Sequence, residues 1–273
     1  MLSANYACGR ARSIFSLSTL TEKPSYQPRL YRGSMGNDRW RSFTAAHLET
    51  DLWIAVSAGM YELDVEMLAK KRIKFYREIL EKHIGDYPEF LHSLSPLNPP
   101  VDISNLIISE MYEASGKAGT GPMSSVAGAM AEHVFNDLVS EFGFDEVIVE
   151  NGGDVFMKIS SPVTVSVYAG SSPLSGKLGL EIKPEQTPLS VCCSSGTVGH
   201  SLSFGVADAC TIACRSGALA DAWATAACNM VKSPEMVEDI TKVVLQNSDI
   251  QAVVIIKDDK AGIGGTLEVT VLK

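Results

Sequence analysis

The chain has no apolar run approaching the ~18 residues that a membrane-crossing helix needs. No membrane role is therefore expected. It also lacks a basic excess. The formal charge is −9, which argues against general binding of nucleic acid or another polyanion. None of the six cysteines, Cys8, Cys192, Cys193, Cys210, Cys214 and Cys228, forms a CxxC pair. Five of them lie among small apolar neighbours, as expected for reduced, buried thiols of a cytoplasmic protein. Arg10 and Arg12 are not followed by a continuous apolar stretch, so no signal peptide is expected, and Cys8 makes a poor lipid anchor for the same reason. Walker loop, GxSxG elbow and HExxH helix are all missing. No internal repeat or low-complexity tract stands out.

What is present centres on Ser190–Met230, a stretch dense in Ala, Gly, Ser and Cys and nearly empty of charge. LSVCC reads as a short buried strand, SSGTVGHSLSFG as a loop, DACTIAC as a second apolar strand and RSG as a turn. Ala218 to Met230 reads as a helix with Ser216 as its N-cap. Asp221 and Thr225 are four residues apart on that helix and share one face. A carboxylate and a hydroxyl on one face suit a hard cation. The alternative is that Asp221 favours the positive helix start and Thr225 bonds back to a carbonyl.

In chain order, residues 1 to about 27 show no clear period and are expected to form a loosely docked arm. Residues 28–273 then form one domain of one or two lobes. RWRSFTAAHLETDLWIAVSA predicts two strands joined by a short turn, with Trp40, Phe43, Leu52 and Ile54 facing inward. Leu63 to Ile84 is the longest helical pattern, its apolar positions being Leu63, Met67, Ile73, Phe75 and Leu80. A Pro-rich connector follows, then a helix over Ile103–Ala118. The next helix starts at Ser124 or Ser125 and runs to about Phe142. Its first turns, Val126-Ala127-Gly128-Ala129, allow close approach of another helix or of a ligand.

Asn151-Gly152-Gly153-Asp154 between two apolar runs is a hairpin signal, because Asn-Gly tolerates the positive φ of a tight turn. Amides of such a turn can also cradle a phosphate. Further strands, a short helix over Pro234–Gln246 and a closing hairpin complete an α+β chain with mainly antiparallel sheets packed against helices. His47, His83, His92 and His133 have no ligand-like spacing and read as surface or packed residues. His200 sits inside the Gly/Ser loop, where it could contact a ligand, act in proton transfer or bond its own backbone. Of Cys192 and Cys193, one faces a pocket if the strand holds. It reads either as a reactive thiol or as a buried, inert one.

Several phrases together resemble the UPF0280 family, which is similar to the ApbE superfamily of flavin transferases. They are YRGSM, ETDLWI, PEFLHSLSP, GPMSSVAGAMAE, VENGGDVF, VTVSVYAGSSPLSGKLG, SSGTVGHSLSFG and ADAWATAACN. The resemblance implies an ApbE-like fold, binding of FAD and Mg²⁺ (or Ca²⁺), and movement of FMN to a Ser or Thr hydroxyl of an acceptor protein. It implies metal ligation by Asp221, Thr225 and the main chain near Val126. It further implies ligand contacts at Gly152, Gly153, Asp154, Ser195, Gly196 and Thr197, with His200 at the reacting region. Two positions depart from the flavin-transferase pattern. Ala127 stands where those enzymes have lysine, and Ser203 where their His-x-x-Asp has the acid. Two expectations of different class result. One is a cytoplasmic Mg²⁺-assisted enzyme acting on FAD or a related phosphorylated compound, as transferase or pyrophosphatase. The other is a non-enzymatic binding or accessory protein, with a link to sulphur assimilation by family association only.

Overall fold

The computed structural model describes residues 39–198 and 203–272, all within the compact unit Tyr31–Lys273. The expected arm and His200 lie outside the described residues.

Eight strands form one antiparallel sheet. They are β1 (Trp40–His47), β2 (Thr50–Ser57), β3 (Val147–Asn151), β4 (Asp154–Lys158), β7 (Leu189–Ser194), β8 (Ala209–Cys214), β9 (Ile250–Lys257) and β10 (Lys260–Gly265), in that spatial order. The remaining strands, β5 (Val163–Ser166), β6 (Leu178–Ile182) and β11 (Glu268–Val271), form a second sheet in the order β11-β6-β5. The expected α+β class with antiparallel pairing is what the chain adopts.

The central strands are buried on both faces, which explains their almost unbroken apolar runs. On β2, Leu52, Ile54 and Val56 join the helix-side core, while Trp53 and Ala55 join the core between the sheets. On β9, Val253 and Ile255 face the helices, and Ala252, Val254 and Ile256 face the small sheet. The closing segment is more than the expected hairpin. After β10 the chain turns at Gly265, where φ is 112°, and β11 leaves the large sheet to pair with β6.

The helical layer holds α1 (Leu63–Asp86), α2 (Glu89–His92), α3 (Leu106–Ala118), α4 (Val126–Phe142), α5 (Gly217–Met230) and α6 (Val237–Val244). Helix α1 exists as expected but buries a different stripe: Val65, Ala69, Ile73, Tyr76 and Leu80. Leu63 and Met67 are 72% and 61% exposed, and Phe75 is exposed too. Tyr76 can go inside because its hydroxyl donates to Asp137 at 2.6 Å, satisfying the polar tip.

The order hairpin, helix, hairpin occurs twice along the large sheet. The β1–β2 and β3–β4 hairpins enclose α1 to α4, and β7–β8 and β9–β10 enclose α5 and α6. In each half one helix carries a similar phrase, Gly128-Ala-Met-Ala-Glu132 on α4 and Gly217-Ala-Leu-Ala-Asp221 on α5. The reading that no repeat stands out is thereby corrected. A five-residue similarity 89 positions apart (217 minus 128) is too short to register until the topology aligns it.

Candidate functional site

Helix α5 begins as its sequence dictates: Ser216 is the N-cap, its hydroxyl accepting the Leu219 amide at 3.3 Å. Its alanine-rich faces let it lie close to α4. A Cβ on Gly128 would stand 2.2 Å from the Gly217 carbonyl oxygen, and one on Gly217 2.4 Å from that of Gly128. The small residues at the start of α4 thus serve close helix packing, the first of their two readings.

That contact delivers Asp221 to the start of α4. Its Oδ2 accepts the Ala127 amide at 3.1 Å and the Gly128 amide at 3.0 Å, a favourable place for a carboxylate at a positive helix end. Thr225, one turn on, is half-buried on the same face, and Val126 is the first residue of α4. Asn151 ties the β3–β4 turn to this point by donating to the Ala127 carbonyl at 3.2 Å.

Asp154, at the start of β4, is buried, and its Oδ1 accepts the Cys193 amide at 3.1 Å. Burial raises its carboxyl well above the usual range, and the charges of Asp221 and Glu150 push it further. Burial likewise raises Asp221, against the pull of the Gly128 and Ala127 amides. Among the described residues no Lys or Arg pairs with either acid. Glu150 is buried as well and accepts the Gly153 amide at 2.7 Å. Gly152 and Gly153 hold φ of 69° and 107°, as the turn requires.

The Ser195–Thr197 segment is organised by its own loop. Ser195 Oγ accepts the Thr197 and Val198 amides at 3.1 and 2.9 Å. The Gly196 amide donates to Ala207, and the Thr197 hydroxyl donates to buried Asp208 at 2.9 Å. Asp208 also accepts the Asp258 amide at 2.7 Å, so it joins this loop to the β9–β10 turn. Ser203 Oγ lies 3.0 Å from Cys228 Sγ and 3.1 Å from Asn229 Oδ1. A hydroxyl can donate to Asn229 Oδ1, whereas a carboxylate there would meet it oxygen to oxygen.

Cys192 belongs to the helix-side core and Cys193 to the opposite face, as alternation requires. Burial raises the Cys192 thiol well above its ordinary value and pushes Cys193 up to about 11. Both fit the inert reading. His83 is packed edge-on to Phe90 and Tyr112, and His133 bonds Glu110 at 2.6 Å. Of two surface clefts of about 480 and 510 Å³, neither lined by Asp154 or Asp221, one is lined by Phe75, His83 and Asn105, and the other, at the start of α5, by Ser216, Leu219, Lys117 and Asp249.

Glu132, Glu150 and Asp208 escaped sequence reasoning, and Asn151 was read only as part of the turn. Only Glu132 had a signal, the repeated phrase. Its Oε2 accepts the Gly217 amide at 2.7 Å. Burial pushes its carboxyl up to about 7, with the Glu110 charge adding to the rise. A carboxyl raised above its unfolded value contributes stability that is present below the unfolded pKa, near 4.5, and lost as pH climbs through about 7. Glu132→Gln, which keeps the acceptor oxygen, is expected to be more stable than wild type at pH 8 by up to about 3 kcal/mol. Near pH 4 the two should match. Thermal melts from pH 4 to 8 check this, and a constant difference across the range would refute it.

The family model described as AbpE bacteria matches residues 33–261. A UPF0280 protein of Methanocaldococcus jannaschii is 36% identical over 225 residues, covering 80% of this chain and 88% of the relative. Another from Methanothrix thermoacetophila is 41% identical over 194 residues, covering 71% and 81%. Among solved structures, the apo flavinyl transferase ApbE of Pseudomonas stutzeri superposes with a TM-score of 0.52 at 14% identity. That match covers 88% of this chain and 96% of that one. The ApbE protein of Thermotoga maritima gives 0.51 at 16% identity, covering 85% and 97%. At such identities the likeness is one of fold.

Proposed function

The chain belongs to the UPF0280 family and matches the AbpE bacteria model, and on that premise we propose a flavin-transferase-like protein with a divalent-cation site at Asp221. Thr225 and the Val126 main-chain carbonyl would complete the protein's share of the ligands. Mg²⁺ or Ca²⁺ is the cation that all-oxygen donors favour over zinc. The ligand is FAD or a related phosphorylated compound, and the setting is cytoplasmic.

The observation that carries the reading is the pair Asp154 and Asp221, two carboxyls raised by burial with no Lys or Arg paired to them among the described residues. Such a pair is stable as a neutral or shared-proton state, or with a cation between protein and ligand. When bound, the cation neutralises pyrophosphate charge and acts as a Lewis acid. The protein's own residues hold and orient. Asp221 is fixed by two amides, Gly152 and Gly153 shape the turn beside Asp154, and Ser195, Gly196 and Thr197 form a braced loop.

Transfer of FMN is expected to be weak. Ala127 offers no positive side chain to meet phosphate. Ser203 offers no acid to orient His200, and a general acid–base group typically contributes 10²–10⁴-fold. Hydrolysis survives better, because cation and amide donors remain. In transfer, the acceptor hydroxyl attacks the FMN phosphorus, the pyrophosphate P–O bond breaks, AMP leaves and the hydroxyl proton passes to base. In hydrolysis, water replaces the hydroxyl. Incubation with FAD, Mg²⁺ and an acceptor protein, followed by acceptor mass and AMP release, tests this. Mg²⁺-dependent AMP release without labelling is expected. Flavin binding without either product would favour the accessory reading, and neither cation nor flavin binding would remove the proposal.

A further inference from the structure

Helices α4 and α5 meet glycine to glycine, at Gly128 and Gly217. Four residues after each glycine stands a carboxylate, and each reaches back across the crossing to the other helix's first turn. Asp221 of α5 accepts the Ala127 and Gly128 amides of α4 at 3.1 and 3.0 Å. Glu132 of α4 accepts the Gly217 amide of α5 at 2.7 Å. A Cβ on Gly217 would also lie 3.2 Å from Glu132 Cβ, so the base of the Glu132 side chain borders the contact. Each helix start therefore has an amide met by the other helix, beside the local cap that Ser216 gives α5.

We propose that Glu132 is a positioning residue for Asp221. By accepting the Gly217 amide it fixes where α5 begins, and one turn later that helix presents Asp221 to the start of α4. A helix is stiff over a single turn, so a displacement of Gly217 is carried to Asp221. The return link is the Asp221 bond to Ala127 and Gly128, five and four residues before Glu132. The two caps therefore form a closed ring, and loosening either one loosens the other. The groups that face Glu132 include Glu110 and His133, which bond each other at 2.6 Å, besides the Gly217 amide. Ser216 caps α5 locally at the Leu219 amide without burying charge. A buried carboxylate at the Gly217 amide is explained by reach, since it spans from α4 to the partner helix.

The inference rests on the proposed function only in treating Asp221 as the functional carboxylate. The experiment therefore has one readout that needs no cation. Hydrogen exchange at 25 °C, resolved at the Ala127 and Gly128 amides, is measured in the full-length wild type, Glu132→Ala and Glu132→Gln. Mg²⁺ affinity is measured on the same samples by calorimetry. Loss of the Glu132 acceptor in Glu132→Ala is expected to lower protection at Ala127 and Gly128 by about tenfold or more. Sheet amides such as Val253 should not change. Mg²⁺ affinity should fall by a similar factor, and Glu132→Gln should restore both. Unchanged protection at Ala127 and Gly128 in folded Glu132→Ala would overturn the inference, even with a lowered melting temperature. Should Glu132→Ala not fold, Glu132→Leu, which keeps most of the bulk and has no acceptor, takes its place with the same two outcomes. Wild type that binds no Mg²⁺ but shows the expected exchange pattern would remove the cation site and leave the positioning role standing.

Discussion

Asp221→Asn is expected to abolish divalent-cation binding while leaving a folded protein at least as stable as wild type at pH 8. The carboxylate is the charged protein ligand in the proposed set of Asp221, Thr225 and the Val126 carbonyl. Removing its charge takes away the strongest attraction for a hard cation. The fold should tolerate the change, because the Asn carbonyl oxygen can still accept the Ala127 and Gly128 amides, now 3.1 and 3.0 Å from Oδ2. The Asn amide can donate towards the neighbouring acid Asp154, replacing a repulsion by a hydrogen bond. Asp221→Ala differs, since it leaves the two amides unmet. Loss of a helix cap costs about 1 kcal/mol. Melting curves with and without Mg²⁺ separate the cases. A cation at a hundred times its Kd adds about 2.7 kcal/mol to wild type, a rise of roughly 5–11 °C for a domain of this size. Asp221→Asn should show no rise. An equal Mg²⁺ shift in wild type and Asp221→Asn would remove Asp221 from the cation site.

Gly128→Ala should damage the protein more than any exposed substitution on the same helix. Its Cβ would sit 2.2 Å from the Gly217 carbonyl oxygen, 2.7 Å from its carbon and 2.9 Å from Asp221 Cβ. The first two are backbone atoms, so no side chain can swing aside, and α4 and α5 must separate. Overpacking a core typically costs 1–3 kcal/mol and more when backbone must move. Here separation also breaks the Asp221 and Glu132 caps, so a loss of about 3–5 kcal/mol is expected. That corresponds to a fall of roughly 6–20 °C in melting temperature. Gly217→Ala should act alike, because its Cβ meets the Gly128 carbonyl oxygen at 2.4 Å. Ala added at Gly116, on exposed α3 surface with open space around it, is the control and should change little. A Gly128→Ala protein that melts with wild type would show that the helices can part freely, and the ring of caps would lose its basis.

Much of the site was legible because it is local. Asn151-Gly152-Gly153-Asp154 becomes a hairpin turn since only glycine holds its φ values without strain. Ser216 caps α5 because its hydroxyl reaches an amide three residues on. Asp221 and Thr225 share a face by the helical period alone. Even the α+β class follows from short alternating runs joined by turns.

Other features were decided elsewhere in the chain. The buried stripe of α1 runs through Val65, Ala69 and Tyr76 instead of Leu63 and Met67. Hydrophobicity ranks Leu and Met higher, but Tyr76 finds Asp137 on α4, 61 residues away, and that partner sets which face turns inward. β11 leaves the large sheet for β6 although nothing within its own residues distinguishes it from a hairpin strand. The site's charge has the same origin. Asp154 reads as a turn residue, yet folding buries it near Asp221, 67 positions later by number (221 minus 154), and neither acid keeps an ordinary carboxyl. Gly128 to Glu132 and Gly217 to Asp221 were written in the sequence as two similar phrases. Only their crossing turns the glycines into a contact and the acids into each other's caps. Turn, cap and period depend on atoms a few bonds apart, which the sequence determines, whereas burial, pairing and carboxyl acidity depend on neighbours that only the closed tertiary structure supplies.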